Sequence, residues 1–298
     1  MHIHADVSLP RFDSAVVVVP APDHGPGNWA GSPSAVLVDG VFWLAYRVRR
    51  PVEAGRGVSV VVARSYDGVT FTSVTEVNRQ HFATASFERA ALVTTGDGPD
   101  KRWRLYLSCA TIGSKHWWIE ALEADRPELL ASGTRHMILP GSDRVAVKDP
   151  VIVRKGDRWQ MWVCRHPLVD AGHEDRMTTA HLTSRDGLAW ADHGEVLRGT
   201  PGEWDARGAR VTTVLSLDPE VLLYDGRATA EANWFERTGL ARANGSGLHG
   251  SDGPVAVSPE GTGALRYASA VPLPDGRTRF YFEASRADGS HDLMTTLA

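Results

Sequence analysis

One short aromatic-rich segment recurs five times along the chain. It stands at Phe42-Trp43-Leu44-Ala45-Tyr46, Trp103-Arg104-Leu105-Tyr106-Leu107, Trp159-Gln160-Met161-Trp162-Val163, Glu220-Val221-Leu222-Leu223-Tyr224 and Arg279-Phe280-Tyr281-Phe282-Glu283. The first residues lie 61, 56, 61 and 59 positions apart. A steady period of this size, in segments that alternate like strands, marks a radial or stacked repeat whose units bury their faces against one another. Five such units nearly fill the 298 residues. The economical reading is all-β: a single five-bladed β-propeller over residues 1–298 with four antiparallel strands per blade. In such a fold, function is expected at the axis, where the innermost strands converge.

The local signals agree with that reading. In the first unit an inner strand over Ser34–Val38 meets Asp39-Gly40, a strong hairpin signal, before a second strand over Phe42–Val48 and a third over Val58–Arg64. Then comes Ser65-Tyr66-Asp67-Gly68-Val69-Thr70-Phe71, which the third unit repeats as Ser184-Arg185-Asp186-Gly187-Leu188-Ala189-Trp190. The shared Ser-x-Asp-Gly-x-x-aromatic pattern predicts a tight turn that presents an aromatic side chain to the next blade. The fifth unit runs out at its third strand, Leu293–Leu297, so Ser14–Val19 is expected to supply the missing outer strand and close the ring. Three long loops, Arg50–Arg56, Leu168–Arg176 and Arg198–Arg207, are candidates for functional segments.

Composition excludes several classes. A formal net charge of -4 gives no global attraction to nucleic acid or to an anionic membrane. No apolar run approaches the ~20 residues of a membrane helix. The first residues lack a basic segment followed by an apolar one, so a cytoplasmic location is expected, or a secreted one if a leader has been removed. Cys109 and Cys164 fall on second strands of different blades and are expected to be buried free thiols. Nor do the twelve histidines, including the isolated His2 and His4, form a metal-ligand spacing. There is no Gly-rich loop before a helix and no Gly-x-Ser-x-Gly elbow, so neither a cofactor nor serine-hydrolase chemistry is expected.

Aligning the inner strands on the repeat places one residue per blade at the mouth of the central channel: Ser32, Arg89, Asp149, Arg210 and Tyr267, spaced 57, 60, 61 and 57 apart. Glu88, Lys148 and Arg266 directly precede three of them, and Asp205, Arg207, Trp29 and Trp204 stand nearby. Charges gathered at one mouth are costly to desolvate and persist where they pair or bind something. Two readings follow. The arginines either staple the blades as an ion-pair belt or hold an anion, since guanidinium forks match carboxylate and phosphate.

Lys148-Asp149-Pro150 at an inner-strand start, the Ser-x-Asp-Gly-x-x-aromatic turns and Leu223-Tyr224-Asp225-Gly226 together resemble the five-bladed propeller glycosidases. That group comprises glycoside hydrolase family 43, the related families 32 and 68, and the family 130 mannoside phosphorylases. The resemblance spans the chain and implies a glycosidase-like enzyme acting on a sugar or sugar-like small molecule. It matches Asp149 to the family's middle-blade carboxylate and Asp205 loosely to the later acid. The first-blade base would stand at Ser32, and a serine cannot activate water as a carboxylate does. Either Glu88 supplies the absent carboxylate or phosphate itself is the nucleophile. The catalytic candidates are therefore Asp149, Glu88 and Asp205. The binding candidates are Arg89, Arg210, Arg207, Lys148, Arg266, Tyr267, Ser32, Trp29 and Glu231, the last from the polar-aromatic hairpin after Tyr224, where Asn233 and Trp234 also suit sugar contacts. A non-catalytic carbohydrate-binding propeller and a lyase or isomerase that reuses the pocket are the alternatives.

Overall fold

Each repeat of the period is an antiparallel meander. The computed structural model describes residues 7–96, 98–245 and 247–298, so His2 and His4 lie outside the described residues. A short strand β1 (Val16–Val19) precedes the first meander, β2 (Trp29–Val38), β3 (Val41–Arg49), β4 (Gly57–Ser65) and β5 (Thr72–Asn78). The second is β6 (Ala91–Thr95), β7 (Arg102–Ala110), β8 (Trp117–Ala124) and β9 (Thr134–Leu139). The third is β10 (Val145–Lys155), β11 (Arg158–Pro167), β12 (Thr178–Ser184) and β13 (Ala191–Arg198). The fourth is β14 (Gly208–Leu217), β15 (Glu220–Arg227), β16 (Arg237–Asn244) and β17 (Gly247–Gly250), and the last is β18 (Leu265–Pro272), β19 (Thr278–Ser285) and β20 (His291–Leu297).

The N-terminal strand completes the last group. Val16 pairs with Thr295, Val17 with Met294 and Val19 with Leu293, so β1 lies antiparallel beside β20 as the sequence led us to expect. Single parallel contacts, Arg237 with Leu265 and Trp29 with His291, join the fourth group to the fifth and the fifth to the first. The second and third groups are separate four-stranded sheets.

Strand alternation distributes the core. Successive side chains of a strand face opposite ways. On β3, Phe42, Leu44 and Tyr46 therefore pack with Tyr281 and Leu293 of the fifth group, while Trp43 and Ala45 pack with Trp103 and Leu105 of the second. Equivalent clusters join Tyr106 to Met161 and Val163, Trp162 to Leu222 and Tyr224, and Leu223 to Phe280 and Phe282. Every group thus shares apolar side chains with two neighbours, the fifth with the first included. Both cysteines are buried free thiols.

The turn motif works through its aspartate. Asp67 Oδ1 accepts from the Ser65 hydroxyl (2.7 Å) and from the amides of Val69 and Thr70 (2.8 and 2.7 Å). Asp186 repeats this with Ser184, Leu188 and Ala189 (2.9, 2.8 and 2.9 Å). The turns dock on a neighbouring group through tyrosines. The Tyr281 hydroxyl donates to the Gly68 carbonyl (2.9 Å) and the Tyr106 hydroxyl to the Gly187 carbonyl (2.7 Å). In chain order the third group's turn thus docks on the second, before it rather than after it.

Candidate functional site

Three inner strands break register at the axial position. The pairing shifts between Gly31 and Ser34, between Lys148 and Val151, and between Arg266 and Ser269. Inside these bulges Ser32, Asp149 and Tyr267 take left-handed backbone angles, φ 52°, 56° and 54°. Such angles cost a non-glycine residue on the order of 1 kcal/mol each and persist where the surroundings fix them. The bulge re-aims the side chain and ends regular pairing where the strands converge.

At this end of the inner strands lies a cavity of ≈ 610 Å³. Six of the expected residues line it: Glu88, Lys148, Arg210, Arg266, Tyr267 and Trp29. Asp149 is fully buried behind them, its Oδ2 accepting from Arg210 Nη1 (3.0 Å) and its Oδ1 from the Arg89 amide (3.0 Å).

Arg210 is the hub. Its Nη1 also donates to the Tyr267 hydroxyl (2.8 Å), its Nη2 donates to Asp225 Oδ2 (2.7 Å), and its guanidinium lies 3.9 Å from the centre of the Tyr267 ring. The Tyr267 hydroxyl in turn donates to Glu88 Oε2 (3.2 Å). Arg47 and Arg56 close the other side of Glu88, Arg56 at 3.3 Å. Arg266 donates to Glu283 Oε1 (2.7 and 2.9 Å) and to Glu236 Oε2 (2.5 Å), and Arg227 donates to Glu236 Oε1 (2.6 Å). His291 Nδ1 donates to Glu283 (2.7 Å). The belt reading therefore holds for most of the arginines, which are tied into carboxylates of neighbouring groups. Lys148 differs: its ammonium stands 3.9 Å from Asp149 and 5.1 Å from the Trp117 ring centre, in the cavity wall.

These pairings set the protonation states. Burial opposes ionisation of Glu88, but Arg47, Lys148, Arg56 and Arg49 outweigh it and hold the carboxyl well below the usual range. The same contest, won by Arg266, Arg210 and Arg227, lowers Glu236. In Glu283 burial is outweighed by Arg266, His291 and Arg47. Asp225 goes the other way. Burial, helped by the charge of Glu236, pushes it up to about 6 against the pull of Arg210.

Five expected residues lie elsewhere. Arg89 is buried at the other end of the inner strands, where its Nη1 donates to the Thr212 carbonyl (2.5 Å) beside Ser34 and Ser269 in a separate ≈ 450 Å³ cavity. Its neighbour Glu88 faces the axial cavity, and adjacent residues on an extended chain point opposite ways. Asp205 does not line the cavity. It braces the loop before β14, accepting from the Thr200 amide (2.9 Å) and the Tyr224 hydroxyl (2.9 Å). Arg207 clamps Asp175 from behind (2.7 and 2.9 Å) and contacts His173 (2.9 Å). Ser32 is fully buried and Glu231 is exposed, neither on the cavity wall.

The sequence reading passed over several residues that do build the site: Arg47, Asp225, Arg227 and Glu283 from the ends of second strands, and Glu236 from the loop after β15. Asn233 and Trp234, offered by the sequence for sugar contacts beside Glu231, come from that same loop and line the cavity. A signal for the first set was present. Arg47-Val48-Arg49 and Asp225-Gly226-Arg227 place charges at alternate positions just beyond an apolar repeat, on one face of the strand. Two of the long loops also reach the cavity, through Arg56 and through Glu174 and Asp175.

No family model and no curated protein matches the chain. Among solved structures it is similar to a β-1,2-mannobiose phosphorylase from Listeria innocua, at 15% identity over 97% of this chain and 92% of that one, with a TM-score of 0.64. An α-L-arabinofuranosidase from Lactobacillus brevis matches at 13% identity over 94% of each chain, TM-score 0.68. A thermostable family-43 glycoside hydrolase matches at 14% over 94% and 91%, TM-score 0.67. At these identities the likeness is one of fold, and it places the chain's architecture with the propeller-type glycosidases.

Proposed function

We propose that the protein is a carbohydrate-active enzyme built as a closed five-bladed propeller, and that its axial cavity binds a sugar-like small molecule bearing an anionic group. The observation that carries this is the charge layering of the cavity. Seven Lys and Arg side chains face it against four Asp and Glu, while three balancing carboxylates, Asp149, Asp225 and Glu283, are buried behind the wall. A ligand therefore meets the cationic layer first, in a concave site where charge-assisted bonds are stronger than on open surface. Trp117 and Trp234 offer flat faces for a sugar ring.

The chemistry we assign runs through Glu88 and Asp149, with the Tyr267 hydroxyl between Glu88 and Arg210. Glu88, kept ionised by its arginines, suits a base or a stabiliser of developing positive charge and not an acid. Phosphorolysis needs no water-activating carboxylate and fits the cationic wall. A second reading, the non-catalytic sugar binder, is favoured by one observation: a serine, fully buried, occupies the first-unit axial position.

One experiment separates them. Aryl glycosides and manno-, arabino- and xylo-oligosaccharides are incubated with and without phosphate, using wild type and Asp149→Asn. Turnover that falls at least a hundredfold in the variant, with ligand affinity held within tenfold, supports the enzyme. Binding of an acidic sugar with no turnover in either protein supports the binder. A neutral sugar that binds as tightly as its uronic counterpart sinks the anionic ligand.

A further inference from the structure

A second, smaller cavity of ≈ 290 Å³ shares Trp29 and Trp234 with the axial one. Its walls are mostly apolar and include Pro26 and Pro51 beside the two indoles. Besides the exposed Glu53, two polar side chains interrupt them, and each carries an unsatisfied atom among the described residues. Arg49 Nη2 and Thr262 Oγ1 are buried without a hydrogen-bond partner. Arg49 is 1% exposed and has no carboxylate within ion-pair range among the described residues. Its Nη1 donates to the Gly27 carbonyl (3.0 Å), and its guanidinium lies 3.8 Å from the Trp29 ring centre and 4.8 Å from that of Trp234.

A buried cation with no counter-charge is costly. Here burial, together with Arg47 and Arg266, pulls the Arg49 guanidinium down to about 9, and Glu88 compensates only from a distance. The pocket wall is strained as well. Trp234 has φ 77°, an angle at which a bulky residue is an outlier and which clusters at active sites and ligand clamps. An unpaired guanidinium nitrogen and a free hydroxyl in an aromatic-walled pocket are the complement of a carboxylate carried on a flat apolar group. Size agrees, because an apolar cavity of about 150 Å³ already holds a benzene ring. Glu53 also lines the pocket and is solvent-exposed.

We propose that this pocket is a binding site for an aromatic carboxylate, its anionic head on Arg49 Nη2 and Thr262 Oγ1 and its ring among Trp29, Trp234 and the prolines. The proposal stands independently of what the axial cavity does. Benzoate, benzamide and benzylamine serve as probes, titrated by calorimetry at neutral pH into wild type, Thr262→Val, Arg49→Met and, as an axial control, Lys148→Met. Benzoate is expected to bind, with benzamide and benzylamine at least tenfold weaker. A lost hydrogen bond to a charged group is worth about tenfold or more in affinity, which sets the expectation for Thr262→Val. Arg49→Met should abolish binding and Lys148→Met should change it less than twofold. If Arg49→Met fails to fold, Thr262→Val carries the test, together with the anomalous signal of 4-bromobenzoate in crystals. The proposal is overturned if benzamide binds as well as benzoate, if Lys148→Met removes binding while Thr262→Val does not, if bromine appears only in the axial cavity, or if no heat is seen up to about 20 mM.

Discussion

Replacing Arg210 with methionine tests whether the axial belt holds the fold together. The guanidinium is 2% exposed and bridges Asp149 and Asp225 across adjoining strand groups (3.0 and 2.7 Å). Removing one partner of a buried ion pair costs about 3–5 kcal/mol, because the other charge stays buried and unpaired. Methionine keeps the apolar contact with the Tyr267 ring, so the loss reports mainly on charge. Asp149 would retain the Arg89 amide and a distant Lys148. Asp225 would retain the Tyr267 amide (3.0 Å) and has an escape: it can take up a proton.

That escape gives the variant a pH signature. Asp225 sits at about 6 in the folded wild type, above the ~3.9 of an unfolded aspartate. A carboxyl raised on folding loses stability as pH rises from its unfolded value to its folded one. Without Arg210 its folded value climbs further, so the variant's extra penalty from Asp225 begins only above pH ~6 and grows by about 1.4 kcal/mol per pH unit. At pH 7 the expected deficit is thus about 3–5 kcal/mol, of which roughly 1.4 kcal/mol belongs to Asp225 and disappears at pH 6. Urea unfolding at both pH values measures it, and adding Asp225→Asn should recover part of the loss non-additively. A deficit under about 1 kcal/mol at pH 7, or one that grows as pH falls to 6, would refute the reasoning.

Three further outcomes follow. Glu88, Glu236 and Glu283 are depressed on folding, so their stabilisation is complete above the ~4.3 of an unfolded glutamate and drains away as pH falls below it; a melting temperature flat between about pH 5 and pH 3 would contradict this. Deleting residues through Val19 strips β1 from β20 and removes Leu9, Phe12 and Val18 from two apolar clusters; unchanged melting would show that the N-terminal strand does not brace the last group. Gly31→Ala would put a methyl 2.0 Å from Glu283 Oε2, and since Arg266 and His291 fix that carboxylate, a loss on the order of 1–3 kcal/mol is expected by thermal unfolding.

How far the sequence revealed the molecule depends on the range of the interaction involved. The repeated strands were legible because alternation is local: Phe42 and Trp43 must face opposite ways whatever surrounds them, and the structure sends them to different neighbours. Asp67 and Asp186 were legible for the same reason, since their turn bonds reach only three residues ahead. The pairing of the N-terminal strand with β20 followed from counting. The axial alignment went astray at Arg89 because it treated five inner-strand positions as equivalent. Ser32, Asp149 and Tyr267 take positive φ inside their bulges, whereas Arg89 does not, although the pairing also slips by one residue between the Phe87–Cys109 bridge and the Ala91–Tyr106 pair.

The cavity wall was the least legible part, because its contacts join residues far apart in the chain. Arg47 meets Glu88 across 41 residues and Glu283 across 236. Nothing local in Arg47-Val48-Arg49 says which carboxylate each will meet, or that among the described residues Arg47 finds one and Arg49 does not. The same division explains how a chain 13–16% identical to solved propeller glycosidases keeps their fold. Apolar alternation in the strand centres suffices for the fold, and many residues satisfy it equally. The site is written at strand ends and in the loop carrying Asn233, Trp234 and Glu236, where a change leaves packing intact and alters chemistry. Fold likeness therefore says least about those positions, and the unpaired Arg49 beside Trp234 is where this chain's own specificity is to be sought.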